Sequence, residues 1–384
     1  MIIIIGAGIS GLYLGYLLNK QGKDFIILEK ENRYGGRVQV DNFEGESVVL
    51  GAGIGRVDKD KTLYDLCKDL DVPVRKMHHS VLDHNSFSEY LEYLKKLKYL
   101  KQKLSREKRS TTDFLTFLRE NFEDPMEFVY LSGFTDYLHA DIIDTVDDYG
   151  FDDIVSQHFS IVWDVLLDNL YETIKDKVHL SEGVIEHDKK NKTISTEQEI
   201  YQYDQLVCST PVTVARKLFP SIETLKDLEG QPFCRIYAKI GKGKEKLSEK
   251  VKNFTILDSY LQKIIPINPK KGIYMIGYND NIDAIQTLNY FNNLSEEEVY
   301  HKLSNEIKHI FGIEVEITVA KIAFWDYGTT YYKPLPVKYE NRTEWLKKAR
   351  NPVKNIYFVG EGFSRNQGWV QGSLESVDAI LPSL

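Results

Sequence analysis

The first eleven residues leave few folds open. Met1 to Ile5 is an unbroken apolar run of the kind that lies buried on both faces of a sheet. It leads directly into Gly6-Ala7-Gly8-Ile9-Ser10-Gly11, followed by Leu12, Leu14, Leu17 and Leu18 at helical spacing. In a strand, glycine turn and helix of this kind, Gly6 makes the bend, Gly8 lets backbone approach a pyrophosphate, and Gly11 permits close packing of helix on strand. The pyrophosphate then sits on the free N–H groups where Ile9 and Ser10 open the helix. A second strand, Phe25 to Leu28, ends in Glu29 and Lys30, about 20 residues on, where a carboxylate accepts hydrogen bonds from a ribose diol.

The next residues bear on which dinucleotide is held. Gly35-Gly36-Arg37 is a second glycine pair followed by a guanidinium suited to a diphosphate. Leu50-Gly51-Ala52-Gly53-Ile54-Gly55-Arg56 sets small residues closely enough for backbone to lie against something flat or crowded. Near the other end, Ile356 to Val359 reads as a further buried strand, followed by Gly360-Glu361-Gly362 and then by Gly368-Trp369-Val370 entering a last helix. That helix would aim its dipole and free N–H groups at an electron-rich atom such as a flavin carbonyl edge.

With these residues in view the chain resembles the flavin-containing amine oxidase family, which includes polyamine, monoamine and L-amino-acid oxidases and protoporphyrinogen oxidase-like proteins. The likeness is carried by Ile4 to Arg37, by Gln205 to Pro211 and by Tyr357 to Val377. It implies an α/β fold: a Rossmann-like FAD-binding domain from about 1–60, 178–225 and 345–384, and an α+β substrate domain, a mixed sheet plus helices, from about 61–177 and 226–344. It also implies that Gly6, Gly8, Gly11, Glu29, Gly36 and Arg37 hold the ADP portion, that Val184 lies near the adenine, that Glu361 meets the ribityl-diphosphate region, and that Trp369 and Val370 border the isoalloxazine.

Family members clamp the amine between two aromatic rings, hold a water near the flavin with a lysine, and in some cases tether the flavin through cysteine. Here Trp369 supplies one ring, Gly328 falls where the second is expected, and Tyr327 stands at the tether position, so FAD is expected to be non-covalent. Arg235 occupies the preferred register of the lysine and suits an anionic group, with Lys239 an alternative four residues on. The reading is hydride transfer from an amine, or another C–H donor, to FAD. Two alternatives stay open: a flavin enzyme acting on a nucleotide sugar without net redox, resembling UDP-galactopyranose mutase, and an FAD-binding protein without catalysis. Molecular oxygen is one acceptor open to it; substrate, acceptor and oligomeric state are left unassigned.

Composition narrows the partners. With 49 Lys+Arg against 57 Asp+Glu the net charge is −8, so no global field draws the chain to nucleic acid or anionic lipid. Leu63, Leu66 and Leu70, then Tyr90, Tyr93, Leu97, Leu100 and Leu104, predict helices in the first insertion. The basic side of the second, Lys95 to Arg109, is read as a solvated face balanced by Asp141, Asp144, Asp147, Asp148, Asp152 and Asp153. His78, His79 and His84 lack companion ligand spacing, and no metal is expected. Phe233 to Ile240 alternates as a strand, and Ile273 to Tyr278 reads as its partner. Cys67, Cys208 and Cys234 fit neither disulfides nor zinc. With no leader before Ile2 and no apolar run of about 20 residues, a soluble cytoplasmic protein without a membrane partner is expected.

Overall fold

A computed structural model describes residues 1–53, 55–77, 84–132, 137–148, 158–257 and 259–384. Its organising element is a five-stranded parallel sheet in the spatial order Ile356–Phe358, Gln205–Cys208, Ile2–Ile5, Phe25–Leu28, Val178–His179. The β-branched first strand sits at the centre, pairing Ile2 with both Gln205 and Phe25. Its side chains alternate between two cores, as the two-residue period of a strand requires. Ile2 and Ile4 face Leu12, Leu14, Leu374 and Val377 on the helices Ile9–Lys20 and Val370–Ile380. Ile3 and Ile5 face Leu206, Val212, Trp345 and Phe358.

A second five-stranded sheet is antiparallel throughout, in the order Thr255–Ile256, Lys263–Asn268, Ile273–Asp280, Leu228–Ile240, Ile317–Tyr332. The two strands expected to pair in this region do so, with Arg235 opposite Tyr278 and Phe233 opposite Asp280. On its other side Phe233 faces Trp325. Phe233, Arg235, Tyr278, Asp280 and Trp325 all reach the large cavity between the sheets. The opposite face, with Cys234, Ile236 and Ile276, packs on the helices Asn281–Phe291 and Glu296–Phe311 through Ala284, Phe291, Leu303 and Ile307.

The first insertion is helical, with Lys61–Asp69, His84–Lys101, Phe114–Asn121 and Ile142–Asp148 as its main elements. Leu63, Leu66, Tyr90 and Leu97 are buried, and Tyr93, Leu100 and Leu104 are packed against the core. Lys101 pairs with Asp147, whereas Asp141 and Asp144 turn inward to Arg109 and Arg342. His78, His79, Asp152 and Asp153 lie outside the described residues. Among the described residues no helix is long and apolar enough to cross a membrane.

Candidate functional site

A cavity of about 990 Å³ runs from the glycine turn of the parallel sheet to the inner face of the antiparallel one. That is the upper end of the range for ligand sites. Its nucleotide end is shaped by absent side chains. No atom lies within 4 Å of where a Cβ on Gly8 or Gly360 would stand, and Gly360 has a φ of +128° that disfavours any other residue. Gly11 lies behind the wall, where a Cβ would come within 2.0 Å of the Gly6 carbonyl oxygen. Glu29 is buried, and its two carboxylate oxygens accept from the backbone N–H groups of Ala7 (2.8 Å) and Glu31 (2.9 Å). Those bonds tie the glycine turn to the end of the second strand and fix the carboxylate at the cavity edge. Gly6, Ile9, Ser10, Lys30, Gly36 and Val184 line the same end.

The middle of the cavity is closed by residues 291 and 324 positions apart in the chain. Arg37 Nη1 donates to the Gly328 carbonyl (2.8 Å) and to Glu361 Oε1 (3.0 Å). Glu361, only 5 % exposed, also accepts from Thr330 Oγ1 (2.7 Å) and from the Gly368 N–H (3.1 Å). One carboxylate thus holds the second glycine loop, the long strand and the loop before the last helix in register. It is a buried hub that accepts from three partners, Arg37, Thr330 and Gly368.

The segment Val49 to Gly53 crosses the cavity with its carbonyls taken by side chains from elsewhere. Val49 O accepts from Arg235 Nη1 (2.8 Å) and Tyr237 Oη (2.7 Å), Leu50 O from Trp325 Nε1 (2.9 Å), and Gly53 O from Trp163 Nε1 (3.1 Å). Gly51, Ala52 and Gly53 line the cavity. Ile54 lies outside the described residues.

At the far end stand Trp369, Tyr327, Phe233 and Tyr278. Trp369 precedes the helix that opens at Val370, and the Arg56 guanidinium lies 4.2 Å from its ring centroid, so one face of the indole already carries a cation. Tyr327 is half exposed on the cavity rim. The space beside Gly328, where a second ring is expected, is taken by Phe233 from the neighbouring strand: a Cβ on Gly328 would lie 1.9 Å from Phe233 Cδ1. Glycine at 328 makes room for that ring.

Arg235 is on the cavity wall as expected, but Lys239 is not; it pairs with Glu44 beyond the cavity. Four residues of strand span about 13 Å, too far for the two positions to substitute for one another. Sequence reasoning missed a different lysine. Lys263, 5 % exposed, reaches the cavity, donates to Asp280 Oδ2 (3.1 Å) and Gln262 Oε1 (3.1 Å), and sits 4.6 Å from the Tyr278 ring centroid. Arg235 lies on the same ring at 4.7 Å. Burial acts against the Arg235 charge, but the Tyr237 and Tyr278 oxygens outweigh it and move its pKa up. The short apolar run Ile264 to Ile267 that follows Lys263 is the sequence signal for this strand. Cys67, Cys208 and Cys234 are free and buried, and none lines the cavity.

Comparison with known proteins agrees with this architecture. Residues 4–70 match an NAD(P)-binding Rossmann-like domain, and residues 147–376, more than half of the chain, match the family described as flavin containing amine oxidoreductase. Among solved structures, a double mutant of putrescine oxidase superposes with a TM-score of 0.80 at 14% identity, covering 100% of this chain and 98% of that one. Cyclohexylamine oxidase from Brevibacterium oxydans gives 0.77 at 16% identity, covering 100% and 98%; at such identities the likeness is one of fold. Curated relatives match in part: the FAD-dependent monooxygenase adrH of Penicillium rubens is 28% identical over 128 residues, 33% of this chain and 26% of that protein. The lysine-specific histone demethylase 1B homolog of Caenorhabditis elegans is 40% identical over 76 residues, 19% of this chain and 9% of that protein. The chain therefore spans about a quarter of the former and less than a tenth of the latter.

FAD, the group these matches imply, fits the residues present. The two open positions at Gly8 and Gly360 form a cradle that any Cβ would obstruct, and Glu29 sets a fixed carboxylate, an acceptor suited to a diol, at the edge of the same cavity. The fold, the cradle and the match over most of the chain agree: this protein belongs to the flavin-containing amine oxidoreductase family.

Proposed function

We propose that the protein is an FAD-dependent oxidoreductase that oxidises an amine, with the cofactor held non-covalently and molecular oxygen as the acceptor. The observation that carries this reading is the continuity of one cavity from the Gly6 turn and Glu29 to the aromatic wall of Trp369, Tyr327 and Phe233. When bound, FAD supplies the two-electron acceptor for oxidation of a C–N bond. The protein's own work is binding, orientation and exclusion of water.

Gly6, Gly8, Glu29, Gly36 and Arg37 would hold the ADP portion and Glu361 the linker, while the Val49 to Gly53 segment forms a fixed wall. Trp369 and Phe233 would confine the substrate carbon, and Arg235 would face its polar end. The first insertion and the antiparallel sheet, about 61–177 and 226–344, would form the substrate domain. The absence of all three thiols from the cavity wall supports a non-covalent flavin, and three free buried thiols suit a reducing, cytoplasmic setting.

The test is the visible spectrum of the flavin-loaded protein, taken anaerobically during titration with amines, amino acids, polyamines and nucleotide sugars. Bleaching by an amine, followed by peroxide formation when air is admitted, supports the reading. A spectrum shifted only by a nucleotide sugar, with no bleaching, overturns it. Denaturation in acid should release all the flavin into the supernatant.

A further inference from the structure

We propose that the substrate of this cavity carries an oxyanion, a carboxylate or phosphate, that binds Arg235. The inference deepens the amine-oxidising reading and rests on it for the reaction, while the anion site stands on its own observations.

Arg235 is 3 % exposed and lies on the cavity wall. Among the described residues no carboxylate lies within ion-pair distance of it. Its polar neighbours are uncharged: the carbonyls of Val49 (2.8 Å) and Ala52 (3.5 Å) and the hydroxyls of Tyr237 and Tyr278. Its Nε is buried without an acceptor. A guanidinium out of water and unmatched by an acid is a costly arrangement, since buried charges are ordinarily paired. The cost is offset when a ligand brings the missing charge.

The surroundings sharpen the assignment. The nearest other cation, Lys263 on the same Tyr278 ring, already has its acid in Asp280. Of the three charges set around Tyr278 and Phe233, two cancel and Arg235 is left over. The planar fork of a guanidinium matches the two oxygens of a carboxylate or two of a phosphate. The rings of Phe233 and Tyr278, 5.6 and 4.7 Å from the guanidinium carbon, leave an apolar approach to it. A purely cationic polyamine would be repelled from such a wall, whereas a molecule with an amine at one end and an acid at the other is accommodated.

The experiment uses the flavin-loaded protein and pairs of non-oxidisable ligands matched in shape: benzoate with benzamide, glutarate with glutaramide, and phenylphosphonate as the phosphate-like probe. Dissociation constants are read from the perturbation of the flavin spectrum. In the wild type the anionic member of a pair should bind about 10- to 100-fold more tightly than its amide. Arg235→Gln should remove that preference and Arg235→Lys should keep part of it. Whether benzoate or phenylphosphonate wins decides which oxyanion is used, and either supports the site. Equal binding of acid and amide by the wild type overturns it, without reliance on any variant. A change in flavin midpoint potential in Arg235→Gln with ligand affinities unchanged also overturns it, by assigning the charge to the cofactor. If the acids bind through Arg235 yet no amine bleaches the flavin, the amine reading fails and the anion site stands. Bleaching as fast by amines without an acid group as by their acid-bearing counterparts leaves the amine reading intact and removes the anion.

Discussion

The guanidinium of Arg56 lies over the indole of Trp369, 4.2 Å from the ring centroid, and is itself held by Asp60 (2.8 Å) and by Asn366 (3.3 Å). Arg56 is fully buried and Asp60 nearly so. The loop before the last helix is thus clamped to residues 56–60, just ahead of the first insertion, and Trp369 is held against them. Asp60→Ala would remove the buried acid that meets Arg56 at 2.8 Å and should lower the unfolding free energy by about 3–5 kcal/mol, measured by urea titration. A parallel red shift of tryptophan emission would report the release of Trp369.

Gly328→Ala should be destabilising even though the substitution is small. The new methyl has to displace the Phe233 ring, at a cost of about 1–3 kcal/mol. Removing the ring removes the clash, so Gly328→Ala combined with Phe233→Ala should be less destabilised than the sum of the two single variants. A double-mutant cycle in urea checks this; strict additivity would show that the ring does not fill the glycine site.

Loss of the Glu29 carboxylate strands the N–H groups of Ala7 and Glu31 as well as any ribose hydroxyl. Glu29→Ala should therefore weaken FAD retention by about 10- to 100-fold, read from the fluorescence of flavin released on dilution. Glu29→Gln, which keeps one acceptor oxygen, should fall between the two.

Burial pushes the Asp148 carboxyl up to about 6, against the opposing pull of Arg365. The folded state then keeps this proton to a higher pH than the unfolded chain, whose aspartate titrates near its ordinary 3.8. Between about pH 4 and 6 the folded form binds more protons, so the Asp148 contribution to stability falls as pH rises through that window and levels off above it. Asp148→Asn cannot titrate. The stability of Asp148→Asn relative to wild type should therefore climb from pH 4 to 6 and stay constant from 7 upward, as followed by urea midpoints.

What the sequence made legible was local or periodic. The turn at Gly6, the strand ending in Glu29 and the apolar run at Ile356 each announce their structure within a dozen residues. That Phe233 to Ile240 pairs with Ile273 to Tyr278 was legible from two strand-like runs; the register that sets Arg235 opposite Tyr278 was not. The far end of the cavity was not legible because its contacts cross strands and insertions. Phe233 fills the space at Gly328 through a pairing that depends on an irregularity in the ladder between Gln231 and Phe233. Lys263 meets Asp280 only once two strands lie side by side. Asp60 looks like an ordinary loop acid until Arg56 is seen folded beneath Trp369. Lys239 drew attention by type and misled by distance.

The central strand, Ile2–Ile5, is flanked on one side by Phe25–Leu28 and on the other by Gln205–Cys208, with Ile356–Phe358 beyond. On a ribosome that adds residues one after another, the glycine turn emerges more than 300 residues ahead of Ile356–Phe358, the last strand of its sheet. Until then its apolar edge is open to any passing strand, which makes the nascent chain a natural client for chaperones. Cofactor capture by the finished cradle for the same reason waits until Ile356 to Gly360 have been made, and chains interrupted before Ile356 should be cleared by proteolysis without ever turning yellow.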